Sequence, residues 1–243
     1  MTDRPDHVAT LGSVLARAQQ TASAVAAQLD RAAQTEIERA KKARAEAREQ
    51  ATAARQSAQR EASLETVPAR FQWAAFGAQW HPTVDATALR RLEAIGARDG
   101  KGANPLLTLW GPSGSGKTSA AVALMRARLT ASPRPVGLFT TAVELVAATK
   151  ATPLGQPVEL VERSKRVPIL VLDDMGQEAS GEWNRVVVEV IHARHADNLW
   201  TAVTTFYDLG DGSADLAKAA ERYGAGLLRR LKECRAVSFG GGR

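Results

Sequence analysis

The chain reads as an α/β sandwich, a parallel five-stranded sheet flanked by helices, preceded by a long N-terminal helical arm. Three observations predict this. Gly111-Pro112-Ser113-Gly114-Ser115-Gly116-Lys117-Thr118 fits the phosphate-loop pattern G-x-x-x-x-G-K-[ST] at every fixed position. A second aliphatic run, Val167-Pro-Ile-Leu-Val-Leu, ends in the paired carboxylates Asp173 and Asp174. Short apolar runs alternate with helix-forming stretches from Leu106 to Phe239, the pattern of strands covered by helices.

The arm comes first. From about Val8 to Glu65 there is one glycine and no proline, and Ala, Arg, Glu and Gln dominate, all strong helix formers except where solvent decides. Val8, Leu11, Leu15, Ala18, Ala22, Val25, Leu29 and Ala32 recur at three- and four-residue spacing, an a/d stripe. The stripe lapses at Glu36, and Glu38 to Glu49 is polar on nearly every face, so it is a solvated helix or partly disordered. The arm is either a low-complexity linker or a helix whose apolar stripe docks on a partner or on itself. Pro68 ends it, dividing the chain into 1–67 and 68–243.

Phe71, Trp73, Phe76 and Trp80 follow in a chain with few aromatics. They either fold over a nucleotide base or pack against the core. Thr83 to Arg98 predicts an amphipathic helix with Leu89, Leu92 and Ile95 inward, closed by Gly100 and Gly102. Leu106–Trp110 leads into the glycine loop as a strand, and Ser119 onward continues as a helix. Pro135 to Thr140 is the next strand, and Thr141 caps a helix beginning at Ala142. Val158 to Arg166 is a short helix before the acid-bearing strand. Trp183 to Ala196 is a helix with Val186, Val187, Val190 and Ile191 on one side. His192 and His195 lie beside them, without a carboxylate or cysteine at metal-ligand spacing. Trp200 to Thr205 is a strand ending in hydroxyls, Leu227 to Lys232 lies in a last helix, and Arg235 to Phe239 closes the sheet.

The glycine loop defines a chemistry. Glycines let backbone N–H groups approach phosphate without a Cβ in the way, and the following helix presents its positive end to the same anion. Lys117 supplies a cation to the β- and γ-phosphates of ATP, the Thr118 hydroxyl ligates Mg²⁺, and Ser119 follows within the same helix start. Asp173 holds Mg²⁺ through water, and Asp174 polarises the attacking water. The two motifs together predict a P-loop NTPase that hydrolyses ATP.

Composition narrows the setting. The chain has 243 residues, enough for one α/β domain and an appendage, and its formal net charge of +6 suits a polyanionic partner. The only cysteine, Cys234, excludes an intramolecular disulfide framework. No apolar run approaches bilayer length and the first residues lack signal-peptide order, so a cytoplasmic protein without membrane partners is expected.

Val171-Leu-Asp-Asp-Met-Gly176 resembles the Walker B sequence of the DnaC/IstB-type AAA+ ATPases, within the ASCE division of P-loop proteins. Pro68-Ala-Arg-Phe, Phe139-Thr-Thr-Ala-Val-Glu-Leu145 and Arg222-Tyr-Gly-Ala-Gly-Leu-Leu-Arg-Arg230-Leu are also similar to that family, so the resemblance runs from Pro68 to Arg243. It implies an ATP-dependent oligomer on single-stranded DNA that loads the replicative DNA helicase or assists a transposase. It implies that Arg230 matches the trans-acting arginine finger, and that the chain lacks a C-terminal helical lid. Arg229, Lys232 and Arg235 either track a DNA backbone or merely solubilise the helix.

One departure concerns the strand that senses the γ-phosphate. The family ends it in Thr-Thr-Asn or similar, whereas here it reads Thr204-Thr205-Phe206. Either Thr205 substitutes or hydrolysis is slow. The favoured reading is a DnaC-like helicase loader whose arm binds the helicase. The alternatives are an IstB-like transposition helper and a nucleotide-regulated DNA-binding module with little turnover.

Overall fold

The structure, a computed structural model, describes residues 6–82, 84–98, 105–153, 155–178 and 181–240. The chain divides into two compact units, Met1–Arg55 and Gln56–Arg243. Among the described residues no helix is long and apolar enough to cross a membrane.

The first unit is a single helix, the greater part of α1 (Asp6–Glu65). The polar stretch continues the helix without a break. Lys41 pairs with Glu38 at 3.1 Å and Lys42 with Glu46 at 3.9 Å, the side-chain spacing that supports a solvated helix. Leu15, Val25 and Leu29 of the apolar stripe are exposed, as are Val14 and Ile37. The side chains of Val8, Leu11 and Ala32 lie outside the described residues.

The second unit begins upstream of Pro68, because the last turns of α1 pack on the sheet. All strand pairs are parallel and the order is β2-β3-β4-β1-β5, where β1 is Leu106–Trp110, β2 Gly137–Thr141, β3 Ile169–Met175, β4 Trp200–Thr205 and β5 Arg235–Ser238. Alternate residues feed opposite faces, as a pleated strand requires. Leu106, Leu170, Leu172 and Val203 join one core. Leu107, Ile169, Val171 and Ala202 join the other.

The face containing Leu107 is covered by α2 (Ala86–Arg98) and α3 (Lys117–Ala131). The opposite face carries α4 (Ala142–Ala151), α5 (Glu159–Arg166), α6 (Arg185–Ala196), α7 (Ala214–Tyr223) and α8 (Ala225–Glu233). Thr141 caps α4 as expected. Its hydroxyl accepts from the Glu144 N–H at 3.0 Å, and the Glu144 carboxylate accepts from the Thr141 N–H at 2.8 Å.

Two elements differ from the sequence reading. The helix before the glycine loop starts at Ala86, because the Asp85 carboxylate accepts from the N–H groups of Thr87 and Ala88 at 2.8 and 3.0 Å. Thr83, Gly100 and Gly102 lie outside the described residues. Helix α7 has no counterpart in the reading. It is capped by Ser213 and contributes only Ala219 and Tyr223 as fully buried residues, too sparse an apolar stripe for periodicity to reveal.

Candidate nucleotide-binding site

Strand β1 delivers the glycine loop to the carboxyl edge of the sheet, where open parallel sheets bind ligands. The glycines are dictated by their surroundings. At Gly111 a Cβ would lie 2.0 Å from the Phe239 carbonyl, and at Gly116, with φ 92°, it would lie 2.8 Å from the Val84 side chain. Pro112, Ser113 and Gly114 are exposed on the rim, and Ser115 is buried beneath it. The loop ends in α3, whose first residue is Lys117.

Lys117 is 7% exposed, and its ammonium donates to the carbonyls of Gly111 and Pro112, each at 2.8 Å. Burial lowers its pKa, and the carboxylates of Asp174 and Asp173 oppose that shift. Asp173 is 2% exposed on β3. Its Oδ1 accepts from the Thr118 hydroxyl at 3.0 Å and from the Thr204 hydroxyl at 2.6 Å. Burial pushes this carboxyl up to about 6, against the two hydroxyl hydrogen bonds.

The donor set suits a hard divalent cation. Mg²⁺ usually keeps several of its waters, so a hydroxyl ligand can be joined by a nearby carboxylate acting through water. The Thr118 hydroxyl and the Asp173 carboxylate lie 3.0 Å apart.

The end of β3 carries the second acid, just before the turn. Asp174 has φ 54°, a left-handed conformation uncommon for a residue other than glycine. Its N–H donates to the Thr204 hydroxyl at 2.9 Å. The β3–β4 register slips between Leu172 and Met175, so three steps on β3 oppose two on β4. That bulge sets Asp174 at the mouth of the loop, while Asp173 stays buried against Thr118.

A cleft of about 380 Å³ opens there. Ser113, Gly114, Gly116, Lys117, Thr118 and Ser119 line one wall; Asp174, Gln177 and Phe206 line another. Arg70 and Phe71 complete it, with the Arg70 guanidinium 4.5 Å from the Phe71 ring centre. Arg126 of α3 holds this segment by donating to the carbonyls of Ala74, at 3.2 Å, and Gln72. The aromatic cluster thus divides. Phe71 packs against the core and also borders the cleft, Phe76 and Trp80 pack against the core, and Trp73 stands exposed beside Trp80.

Several residues singled out from the sequence lie elsewhere. Thr205 does not border the cleft. It is fully buried, and its hydroxyl donates to the Met175 carbonyl at 2.8 Å. Thr204, which the sequence reading passed over, is the hydroxyl that touches Asp173 and Asp174. Arg230 sits half-buried on α8 away from the cleft, where its charge, after burial, holds the His192 imidazole below its usual range. Of the neighbouring cations, Arg229 pairs with Glu233 at 3.7 Å and Lys232 with Asp211. Among the described residues no cluster of His, Cys, Asp and Glu forms a metal site.

Comparison with known proteins follows the same lines. Among curated protein sequences no relative matches the chain. The structure is similar to that of the DnaC helicase loader, with 24% identity over 71% of this chain and 99% of that one and a TM-score of 0.59. It is similar to DnaI at 25% identity over 71% and 94%, with a TM-score of 0.56. AMPPCP-bound DnaA from Aquifex aeolicus shares the fold at 15% identity over 68% and 50%, with a TM-score of 0.52. The family model described as "IstB-like ATP binding protein" matches residues 13–242. That match spans most of the chain, and the chain belongs to the IstB-like ATP-binding proteins.

Proposed function

We propose that this protein is a Mg²⁺-dependent ATPase that works as a helicase loader on single-stranded DNA. The observation that supports it most is the convergence of Lys117, Thr118 and Asp174 at one cleft, with Asp173 and Thr204 buried behind them and hydrogen-bonded to Thr118 and Asp174. Backbone N–H groups from Ser113 to Thr118 and the Lys117 ammonium hold the β- and γ-phosphates. Thr118 and Asp173 would hold Mg²⁺, which would supply positive charge against that building on the transferred phosphoryl group. Asp174 orients a water whose oxygen bonds to the γ-phosphorus as the bond to the β,γ-bridging oxygen breaks. The water's proton passes toward Asp174, and ADP and phosphate leave. Thr204 keeps both carboxylates in register. Arg230, remote from its own cleft, reaches the γ-phosphate of a neighbouring subunit in an ATP-dependent oligomer.

The loader reading rests on likeness in fold to the DnaC helicase loader and on the exposed stripe of α1, the helicase-binding arm in this account. Trp183 is 41% exposed with the Lys150 ammonium 5.3 Å from its ring centre, a pairing suited to stacking a base beside a phosphate. The family description favours a second reading, an IstB-like helper of a transposase.

The test is the native mass of the full chain mixed with its host's replicative helicase, with and without ATP, alongside turnover compared with Lys117→Ala. A stoichiometric complex that is lost on deleting residues 1–55 is expected. No complex in either state refutes the loader reading and leaves the transposition helper. Turnover no higher than in Lys117→Ala, with single-stranded DNA present, leaves a nucleotide-regulated DNA-binding module.

A further inference from the structure

Behind the acid-bearing turn lies a buried carboxylate that takes no part in the chemistry above. The Glu178 side chain has no exposed surface. Its Oε2 accepts from the Gly176 N–H at 2.8 Å. Its Oε1 accepts from the Tyr223 hydroxyl and lies 3.3 Å from Nη2 of Arg222, which also donates to the Glu178 carbonyl. Asn184, itself buried, donates through Nδ2 to the Arg222 carbonyl at 2.6 Å. Burial, together with the Glu178 carboxylate, raises the Tyr223 phenol well above its usual range, so it remains a donor.

The turn held in this way is the one that aims Asp174. The Gln177 N–H donates to the Asp174 carbonyl at 3.1 Å, and the Met175 carbonyl accepts from Thr205 at 2.8 Å. Gly176 has φ 113°, and a Cβ there would lie 2.5 Å from the Phe206 ring. At the far end, Tyr223 adjoins Gly224, whose φ of 84° separates α7 from α8, the helix of Arg230. A buried ion pair is a poor source of stability beside apolar packing, but removing one partner leaves the other charge buried and uncompensated.

We propose that Glu178 is a positioning residue that joins the Asp174 turn to the α7–α8 junction through Tyr223 and Arg222. The proposal rests on the reading above, in which Asp174 acts on the chain's own nucleotide and Arg230 on a neighbour's. Glu178 then couples the two sites, so that movement of α8 at one subunit contact reaches the acid of the adjoining cleft.

Amide hydrogen exchange and steady-state kinetics on full-length Tyr223→Phe and Glu178→Gln test it. In both variants exchange across residues 172–178 should quicken by about tenfold or more, the loss expected for a hydrogen bond to a charged group. Exchange across 111–118 should stay within about twofold. The kcat should fall by about tenfold with nucleotide affinity held within about twofold, a split that general destabilisation does not produce. Unchanged exchange across 172–178 in both variants overturns the proposal, as does a parallel loss at 111–118 and in nucleotide affinity. If the unmodified protein turns over no faster than Lys117→Ala, the ATPase reading fails, and the exchange result still decides whether the junction holds the turn.

Discussion

Deleting residues 1–55 and deleting residues 1–67 should give proteins of different stability, although both leave every sheet strand and the whole cleft. Strand β2 is an edge strand with β3 on one side only. Its outer edge is covered by the end of α1. The Gly137 N–H donates to the Ser63 hydroxyl at 2.8 Å and the Phe139 N–H to the Thr66 hydroxyl at 2.9 Å. Val67, 2% exposed, packs into the core beside them. A chain starting at Pro68 exchanges two hydrogen bonds for water at about 0.5–1.5 kcal/mol each. It also loses a buried valine worth about 1.5–3 kcal/mol. The sum is about 2.5–6 kcal/mol, a large share of the roughly 5–15 kcal/mol by which a domain is stable. Urea unfolding of residues 56–243 and 68–243 measures it, and the shorter chain should also associate through its bared edge. Equal midpoints with equal slopes would refute the assignment of Gln56–Glu65 to the nucleotide-binding unit.

Three further outcomes are expected. Thr204→Val should lower kcat by roughly 10–100-fold, because Asp173 loses one of its two hydroxyl donors and the Asp174 N–H loses its acceptor, while Thr205→Val should cost less in kcat than in melting temperature; steady-state kinetics and thermal melts on the pair check it. Arg194, fully buried, donates to Thr201 at 2.8 Å, to the carbonyls of Ser164 and Val167 at 2.7 Å, and to that of Trp200 at 2.6 Å. Arg194→Met should therefore destabilise by about 3–5 kcal/mol in urea unfolding, through acceptors left without a donor. Burial, with the charges of Arg230 and His195, holds His192 below 6.5, so the folded state binds that proton more weakly than the unfolded chain. Stability should fall as the pH drops through 6.5 toward the folded value, and His192→Gln should flatten that acid limb in melts taken on either side.

Local patterns carried much of the fold into view. The glycine loop, the aliphatic run ending in Asp173 and Asp174, and the Thr141–Glu144 cap are determined by neighbours within a few residues, so a linear reading reaches them. Lys117, Thr118 and Asp173 were legible for the same reason, since each has a motif around it. Helix α7 was not, because it buries few residues and rests on contacts made by α8 and the sheet. Arg70 gave no signal of its own either. Its place at the cleft depends on Arg126, more than fifty residues away, gripping the segment behind it.

The choice between Thr204 and Thr205 shows where the boundary lies. The sequence by itself determined that a strand ending in hydroxyls and a strand ending in paired carboxylates belong to one α/β nucleotide-binding sheet; that the two are neighbours came from the structure. Which hydroxyl faces Asp173 depends on the register of two strands thirty residues apart, in which Leu172 lies opposite Val203 and Asp173 therefore comes level with Thr204. A one-residue slip turns every side chain to the opposite face, so only the paired tertiary structure could decide it. The same holds for the end of α1. Ser63 lies in its last turn and Thr66 just past it, and only their bonds to the edge of β2 tie them to the nucleotide-binding unit.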